Sequence, residues 1–65
     1  MKEYFIIKDL IWNNYYHEWM GIYSFCKNIN TAYKFDNEID AEKKIINLIN
    51  SQIRLTKYII LKITN

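Results

Sequence analysis

The sequence predicts a small α+β domain in which an antiparallel sheet of three to four strands packs on one helix. Short segments rich in β-branched and aromatic residues stand before and after a single long stretch of helical periodicity. Asparagine-rich and glycine-containing segments separate these elements. The predicted order is therefore β-β-(β)-α-β, within one domain that spans residues 1–65.

The first part of the chain predicts an antiparallel hairpin. Tyr4–Lys8 has the composition of a strand, and its strand character extends towards Trp12. Asn13-Asn14 marks a turn, because asparagine tolerates positive φ angles. Tyr15–Phe25 predicts a second strand region that is interrupted at Gly21.

The segment before the helix is polar and turn-like. Asn28 is a suitable cap for a single helical turn. The alternation in Tyr33–Phe35 predicts a short third strand, which is the element in parentheses in the predicted order.

The helix has the clearest sequence signals. Asn37 is a preferred N-cap, and Glu38 and Asp40 follow in the first turn, where the helix dipole favours acidic groups. We expect the helix to end between residues 50 and 55. Apolar residues at helical spacing predict one buried stripe, formed by Ala41, Ile45, Leu48, Ile49 and Ile53.

Lys57–Thr64 predicts the last strand. We expect its three odd-numbered apolar residues to pack under the helix: Ile59, Leu61 and Ile63. Tyr58 and Ile60 would then lie on the other face of the sheet, which one helix cannot also cover. An exposed face that carries aromatic residues and isoleucine indicates an interaction site.

Composition limits the class of protein. A chain of 65 residues buries only about 60% of the surface that its unfolded form exposes. Cys26 is the only cysteine, so no disulfide forms within the chain. The sequence has no apolar run of about 20 residues and no signal-peptide pattern. We therefore expect a cytoplasmic protein without membrane association.

Two segments begin like metal-binding motifs and do not continue as such. His17-Glu18 starts like the zinc-protease motif, but Gly21 stands where the second histidine is required. Asp36–Asp40 starts like a calcium loop, but Ala41 and Asn47 occupy the positions of the required glycine and glutamate. No metal site is predicted.

The sequence also predicts no catalytic site and no cofactor. Cys26 with His17 is the only nucleophile and base to weigh, and nothing in the sequence fixes their geometry. A single cysteine beside Phe25 is typical of a small buried hydrophobic residue. One glycine excludes a glycine-rich phosphate loop. We expect that the protein is not an enzyme.

The eleven aromatic residues exceed what a core beneath one helix can hold. This surplus predicts a second packing partner, either another copy of the chain or a different protein. Trp and Tyr most often anchor such interfaces. The candidate contact residues are Trp12, Tyr15, Tyr16, Trp19 and Tyr58.

Residues 28–41, from Asn28 to Ala41, resemble a pattern found in small proteins of bacteriophages and prophages. There a polar turn is followed by Ala and Phe three residues apart, an N-cap, and an acidic helix start with Ala; here these are Ala32, Phe35, Asn37 and Ala41. Many such proteins act by binding, and some inhibit host defence systems, including the anti-CRISPR proteins. The resemblance implies a non-enzymatic inhibitor that blocks a host protein.

Two alternatives remain open at this stage. The protein is a nucleic-acid-binding accessory protein if Arg54, Lys57, Lys62 and nearby tyrosines form one basic and aromatic surface. It is a sponge for a small nucleotide signal if a homodimer encloses a pocket between its subunits.

Overall fold

Four antiparallel strands form one sheet, and a single helix packs on one of its faces. The computed structural model describes residues 2–52 and 54–64. Its elements are β1 (Glu3–Asp9), β2 (Asn14–Trp19), β3 (Ile22–Cys26), a 3₁₀ turn (Ile29–Thr31), α1 (Glu38–Ser51) and β4 (Tyr58–Thr64). The strand order is β3-β2-β1-β4, so β3 and β4 form the two edges. The predicted α+β class is confirmed.

Two tight connections set the hairpins. The first strand ends at Asp9 and does not continue to Trp12, and Asn13 in the following loop has a φ of 55°. The predicted strand region Tyr15–Phe25 forms two strands, β2 and β3. They are separated by Met20 and Gly21, whose φ angles are 52° and 82°. Positive φ at both central residues is the geometry of a two-residue hairpin turn.

The segment before α1 fills a gap in the sheet. β1 and β2 pair only at the two positions nearest their turn. Further along, Phe35 exchanges two backbone hydrogen bonds with Phe5, and the Tyr33 N–H donates to the Tyr16 carbonyl. The prediction of a third strand at Tyr33–Phe35 is wrong, because this segment makes only an isolated bridge.

The capping predictions for both helical elements are confirmed. The Asn28 side chain accepts a hydrogen bond from the Asn30 N–H at the start of the 3₁₀ turn. The Asn37 side chain accepts from the Asp40 N–H, 2.9 Å away, at the start of α1. α1 ends at Ser51, inside the predicted interval. Within residues 2–52 and 54–64, no helix has the length and apolar character that crossing a bilayer requires.

The core lies between α1 and the sheet. Its buried members are Ile7, Tyr16, Phe35, Ala41 and Leu48, and Phe5, Phe25, Ile45, Tyr58 and Ile60 pack against them. The predicted helix stripe is right for Ala41, Ile45 and Leu48. It is wrong for Ile49, which is 54% exposed, and Ile53 lies outside the described residues.

The prediction for the two faces of β4 is reversed in the structure. Tyr58 and Ile60 pack into the core, and Ile59, Leu61 and Ile63 lie on the face without a helix. The register explains the reversal, because Ile60 pairs directly with Ile7 of β1, whose side chain points towards α1. Paired residues on neighbouring strands point to the same face.

Tyr16 is the largest fully buried side chain. Its hydroxyl donates a 2.8 Å hydrogen bond to Glu18 Oε1. Burial raises the pKa of Tyr16 well above its usual range, and the bond to Glu18 raises it further. The folded state therefore favours the neutral phenol.

Alkaline pH should destabilise the fold through Tyr16. Its stabilising contribution is complete below the unfolded-state pKa of about 10 and falls as pH rises above it, by at most about 1.4 kcal/mol per pH unit. Urea unfolding at several alkaline pH values should show a shallower loss of stability for Tyr16→Phe than for the unaltered chain. Equal slopes for the two proteins would contradict this assignment.

Adjacent helix residues should differ sharply in their effect on stability. Leu48→Ala should lower the free energy of unfolding by about 2–5 kcal/mol, because it opens a cavity in the core. Ile49→Ala should change stability by no more than about 0.5 kcal/mol. Urea denaturation followed by circular dichroism measures both. A large effect of Ile49→Ala in the monomeric protein would contradict the orientation of α1.

Candidate protein-binding surfaces

The turn between β2 and β3 carries three highly exposed apolar residues that are close together in the chain. Trp19, Met20 and Ile22 are 71%, 84% and 75% exposed, and we call them the hairpin tip. No charged residue interrupts the segment from Trp19 to Ile22. The tip is therefore a small apolar protrusion whose side chains do not pack into the core of the domain.

Met20 stands in an unfavourable backbone conformation. Its φ of 52° lies in the left-handed region, which costs a residue with a side chain about 1–2 kcal/mol. Turns of this geometry prefer Asn, Asp or Gly at this position. The Met20 side chain is nearly fully exposed, so packing within the domain does not offset the cost. An observed strain of this kind points to a functional role.

A second apolar surface lies beside the connection between β1 and β2, at the other end of β2. Leu10, Ile11, Trp12 and Leu55 are all exposed there, and we call them the apolar corner. The Trp12 indole N–H donates to the Leu55 carbonyl at 3.0 Å. The Leu10 N–H donates to the Lys57 carbonyl at 2.8 Å. These bonds join the two segments of the corner.

A buried carboxylate, paired with a partly exposed arginine, fixes the backbone of the apolar corner. Asp9 is fully buried, and its carboxylate accepts hydrogen bonds from the backbone N–H groups of Ile11 and Trp12. Arg54 Nη2 lies 3.4 Å from the second carboxylate oxygen. The Arg54 guanidinium also lies about 5 Å from the ring centroids of Trp12 and Phe25. Such a corner is pre-organised, which lowers the entropy lost on binding.

Two of the five predicted contact residues belong to these surfaces. Trp12 lies in the apolar corner and Trp19 in the hairpin tip. Because β2 runs from one surface to the other, the structure does not bring them together. They would contact different parts of one partner, or different partners.

The three predicted contact tyrosines are buried or half-buried. Tyr16 is 1% exposed and belongs to the core, so its side chain is not available for binding. Tyr58 packs against the core, and its hydroxyl donates to Gln52. Tyr15 is half-buried on the sheet face opposite α1, with the Lys8 ammonium 5.6 Å from its ring centroid.

Sequence reasoning missed the aliphatic members of both surfaces. Met20 and Ile22 fall within the predicted strand region Tyr15–Phe25. The signal for their exposure is their position on either side of Gly21, where the strand region is interrupted by a turn. Leu55 lies just past the helix, where no periodicity indicates which side chains are exposed.

The basic residues proposed for nucleic acid do not form one free surface. Arg54 is held by Asp9. Lys62 lies 2.6 Å from Glu3, and this hydrogen bond raises the pKa of Lys62. Lys57 is exposed. Two of the three cations are thus already paired with carboxylates of the same chain.

The candidate nucleophile and base each contact the backbone. The Cys26 thiol donates to the Asn28 carbonyl at 3.6 Å, and His17 Nδ1 lies 2.8 Å from the Thr31 carbonyl. In the part of the chain that the structure describes, no three His, Cys, Asp or Glu side chains are grouped as metal ligands, and no enclosed cavity is found.

Comparison of the chain with protein-family models, with curated proteins and with solved structures finds no match.

Removing Arg54 should loosen the apolar corner. Arg54→Ala leaves the buried Asp9 carboxylate without its cation, and we expect a loss of about 1–3 kcal/mol, since the guanidinium is partly exposed. Trp12 fluorescence, measured with Trp19→Phe in every protein so that only one indole emits, should report a more hydrated indole. The control is Lys62→Ala, whose pair with Glu3 is exposed to solvent, and its unfolding midpoint should stay unchanged. Equal midpoints for all three proteins would contradict a stabilising role for Arg54.

Proposed function

We propose that this chain is a non-enzymatic binding protein that blocks a larger protein by inserting its hairpin tip into an apolar site. The observation that carries the proposal is Met20, which keeps an unfavourable left-handed conformation while its side chain contacts solvent. A partner that buries this side chain supplies the reason for its presence.

The hairpin tip has the form of an anchor. Trp19 is a residue type that dominates binding energy at protein interfaces, and Met20 adapts its shape to irregular apolar sites. A two-residue turn between paired strands holds both with little freedom, because β2 and β3 pair at every position from Trp19 to Tyr15. Little ordering is then required when a partner binds.

The apolar corner is the second contact region of this proposal. Trp12 and Leu55 lie at the opposite end of β2 from the tip. A partner that contacts both ends of β2 would span six strand residues, or about 20 Å. A contact of this length suits occlusion of a cleft better than a small point contact.

The host and the defence role rest on the resemblance of residues 28–41 to small phage and prophage proteins. Under this proposal the partner is a protein of the bacterial host, and a defence component is the class that the resemblance implies. Blocking requires no bond to be made or broken. A homodimer, one of the two packing partners that the sequence leaves open, stays a prediction, and the edge strand β4 is a surface available to it.

Nucleic-acid binding is the less favoured alternative, because Arg54 and Lys62 are paired within the chain. A nucleotide sponge would need a pocket formed between two copies. Binding that disappears at high salt would favour nucleic acid over a protein partner.

Met20→Asn should raise stability and weaken binding at the same time. Asparagine is favoured in the left-handed position, so we expect a gain of up to about 1–2 kcal/mol in the free energy of unfolding. A tagged Met20→Asn protein should retain less of the host protein that the unaltered chain enriches from bacterial lysate. Urea unfolding and mass spectrometry of eluates at moderate and high salt measure the two effects.

Two further variants separate the surfaces. Trp19→Ser should abolish enrichment of the same protein, because it removes the anchor of the tip. Leu55→Ser changes an equally exposed residue of the apolar corner and should reduce enrichment only partly. If Trp19→Ser and Met20→Asn retain the partner in full, the tip is not the anchor.

A further inference from the structure

β4 is a long edge strand with no pairing partner on its outer side among the described residues. It has seven residues, pairs with β1 along its whole length, and contains neither proline nor glycine. Natural edge strands avoid pairing through short length, bulges, proline or lysine. β4 has one lysine, Lys62, and its ammonium is bound to Glu3 of β1. Its outer backbone groups are therefore available to another strand.

A second exposed apolar feature lies above this edge. Ile39, Ile46 and Ile49 of α1 are 62%, 58% and 54% exposed, and we call them the outer stripe. Lys44 marks the side of α1 that faces β2, because it lies 4.0 Å from Glu18. At 3.6 residues per turn, Ile46 and Ile49 fall on the opposite side, above β4 and its free edge.

We propose that this edge pairs with the same edge of a second copy of the chain, forming a homodimer with one eight-stranded sheet and two adjoining helices. The distance expected between the two helices supports a second copy as the partner at this edge. α1 packs over β1 and β4, and neighbouring strands lie about 4.8 Å apart. Pairing β4 with β4 of a second copy therefore places the two helices about 10 Å apart. Packed helices lie about 8–10 Å apart.

The register of the proposed β4–β4 pairing follows from where α1 begins and ends along the length of β4. Phe35, just before α1, bridges Phe5, which pairs with Lys62. At the other end of α1, Gln52 accepts from Tyr58. The middle of the helix therefore lies level with Ile60. A two-fold axis through Ile60 brings the two outer stripes together near Ile46.

This arrangement brings no like charges together. With antiparallel strands centred on Ile60, Lys62 lies opposite Tyr58 of the second copy, and Ile59 lies opposite its Leu61. With antiparallel helices centred near Ile46, Glu42 lies opposite Asn50 of the second copy. A seven-residue ladder alone is a narrow contact, whereas stable interfaces bury about 800 Å² on each partner. The helix pair adds a second layer to it.

The test is the mass of the full chain by analytical ultracentrifugation, over a wide range of concentration and with a reducing agent that prevents bridging through Cys26. The unaltered chain should approach about 16 kDa, twice the 8.0 kDa of one copy. Ile46→Lys with Ile49→Lys should raise the dimer dissociation constant by about tenfold or more. Both positions are exposed in the single chain, so the variant should keep its circular dichroism spectrum.

The matched control is Met20→Lys with Ile22→Lys, which adds the same charges at the hairpin tip. It should dimerise like the unaltered chain even when it no longer binds the host protein. Failure of dimerisation can therefore be distinguished from failure of the proposed function. A mass of 8.0 kDa at every concentration, or an unchanged dimer in the helix variant, would overturn the proposal.

Hydrogen exchange tests the strand contact separately. In a single chain, only alternate backbone N–H groups of β4 donate to β1, because antiparallel ladders alternate. At concentrations that give the dimer, the outward N–H groups of residues 58–64 should also become protected. A dimer in which these groups exchange freely would rule out pairing through β4.

Discussion

One helix covers only part of a four-stranded sheet, and the exposed surfaces of this molecule follow from that constraint. α1 packs over β1 and β4, and Lys44 links it to β2 through Glu18 and the ring of Tyr16. β3 and the far end of β2 have no helix above them, so the hairpin tip extends beyond the core. The outer side of β4 is left uncovered for the same reason.

The polar side chain that matters most to the shape is Asp9. Its carboxylate is fully buried, and it holds the backbone after β1 and the guanidinium of Arg54. Arg54 in turn lies against the rings of Trp12 and Phe25, and these contacts fix the position from which the chain leads into β4. In a domain of this size, where total stability is a few kcal/mol, the loss of one such contact is a large fraction of it.

The sequence was most informative where a local rule acts alone. The Asn37 cap, the helix interval and the break at Gly21 were predictable because capping and turn geometry depend on few neighbouring residues.

The buried face of β4 was not predictable, because residues 58–61 are apolar on both sides and alternation cannot say which side is buried. The pairing of Ile60 with Ile7 determines which face of β4 is buried. Ile49 was misplaced because the helix is apolar on two sides. Of the candidate contact residues, Trp12 and Trp19 are exposed, whereas Tyr16 lies in the core. Residue type could not separate these cases, because an aromatic residue fits a core and an interface equally well.

The order of strands in the sheet also has a kinetic consequence. β2 and β3 are joined by a two-residue turn and can form within microseconds. β1, which is central, has most of its ladder with β4, whose residues follow about fifty to sixty positions later in the chain. Contacts between distant segments slow folding, because the intervening chain must close a loop before any of them stabilises it. The hairpin that carries the tip can thus form early, whereas the sheet is completed only when β4 joins β1.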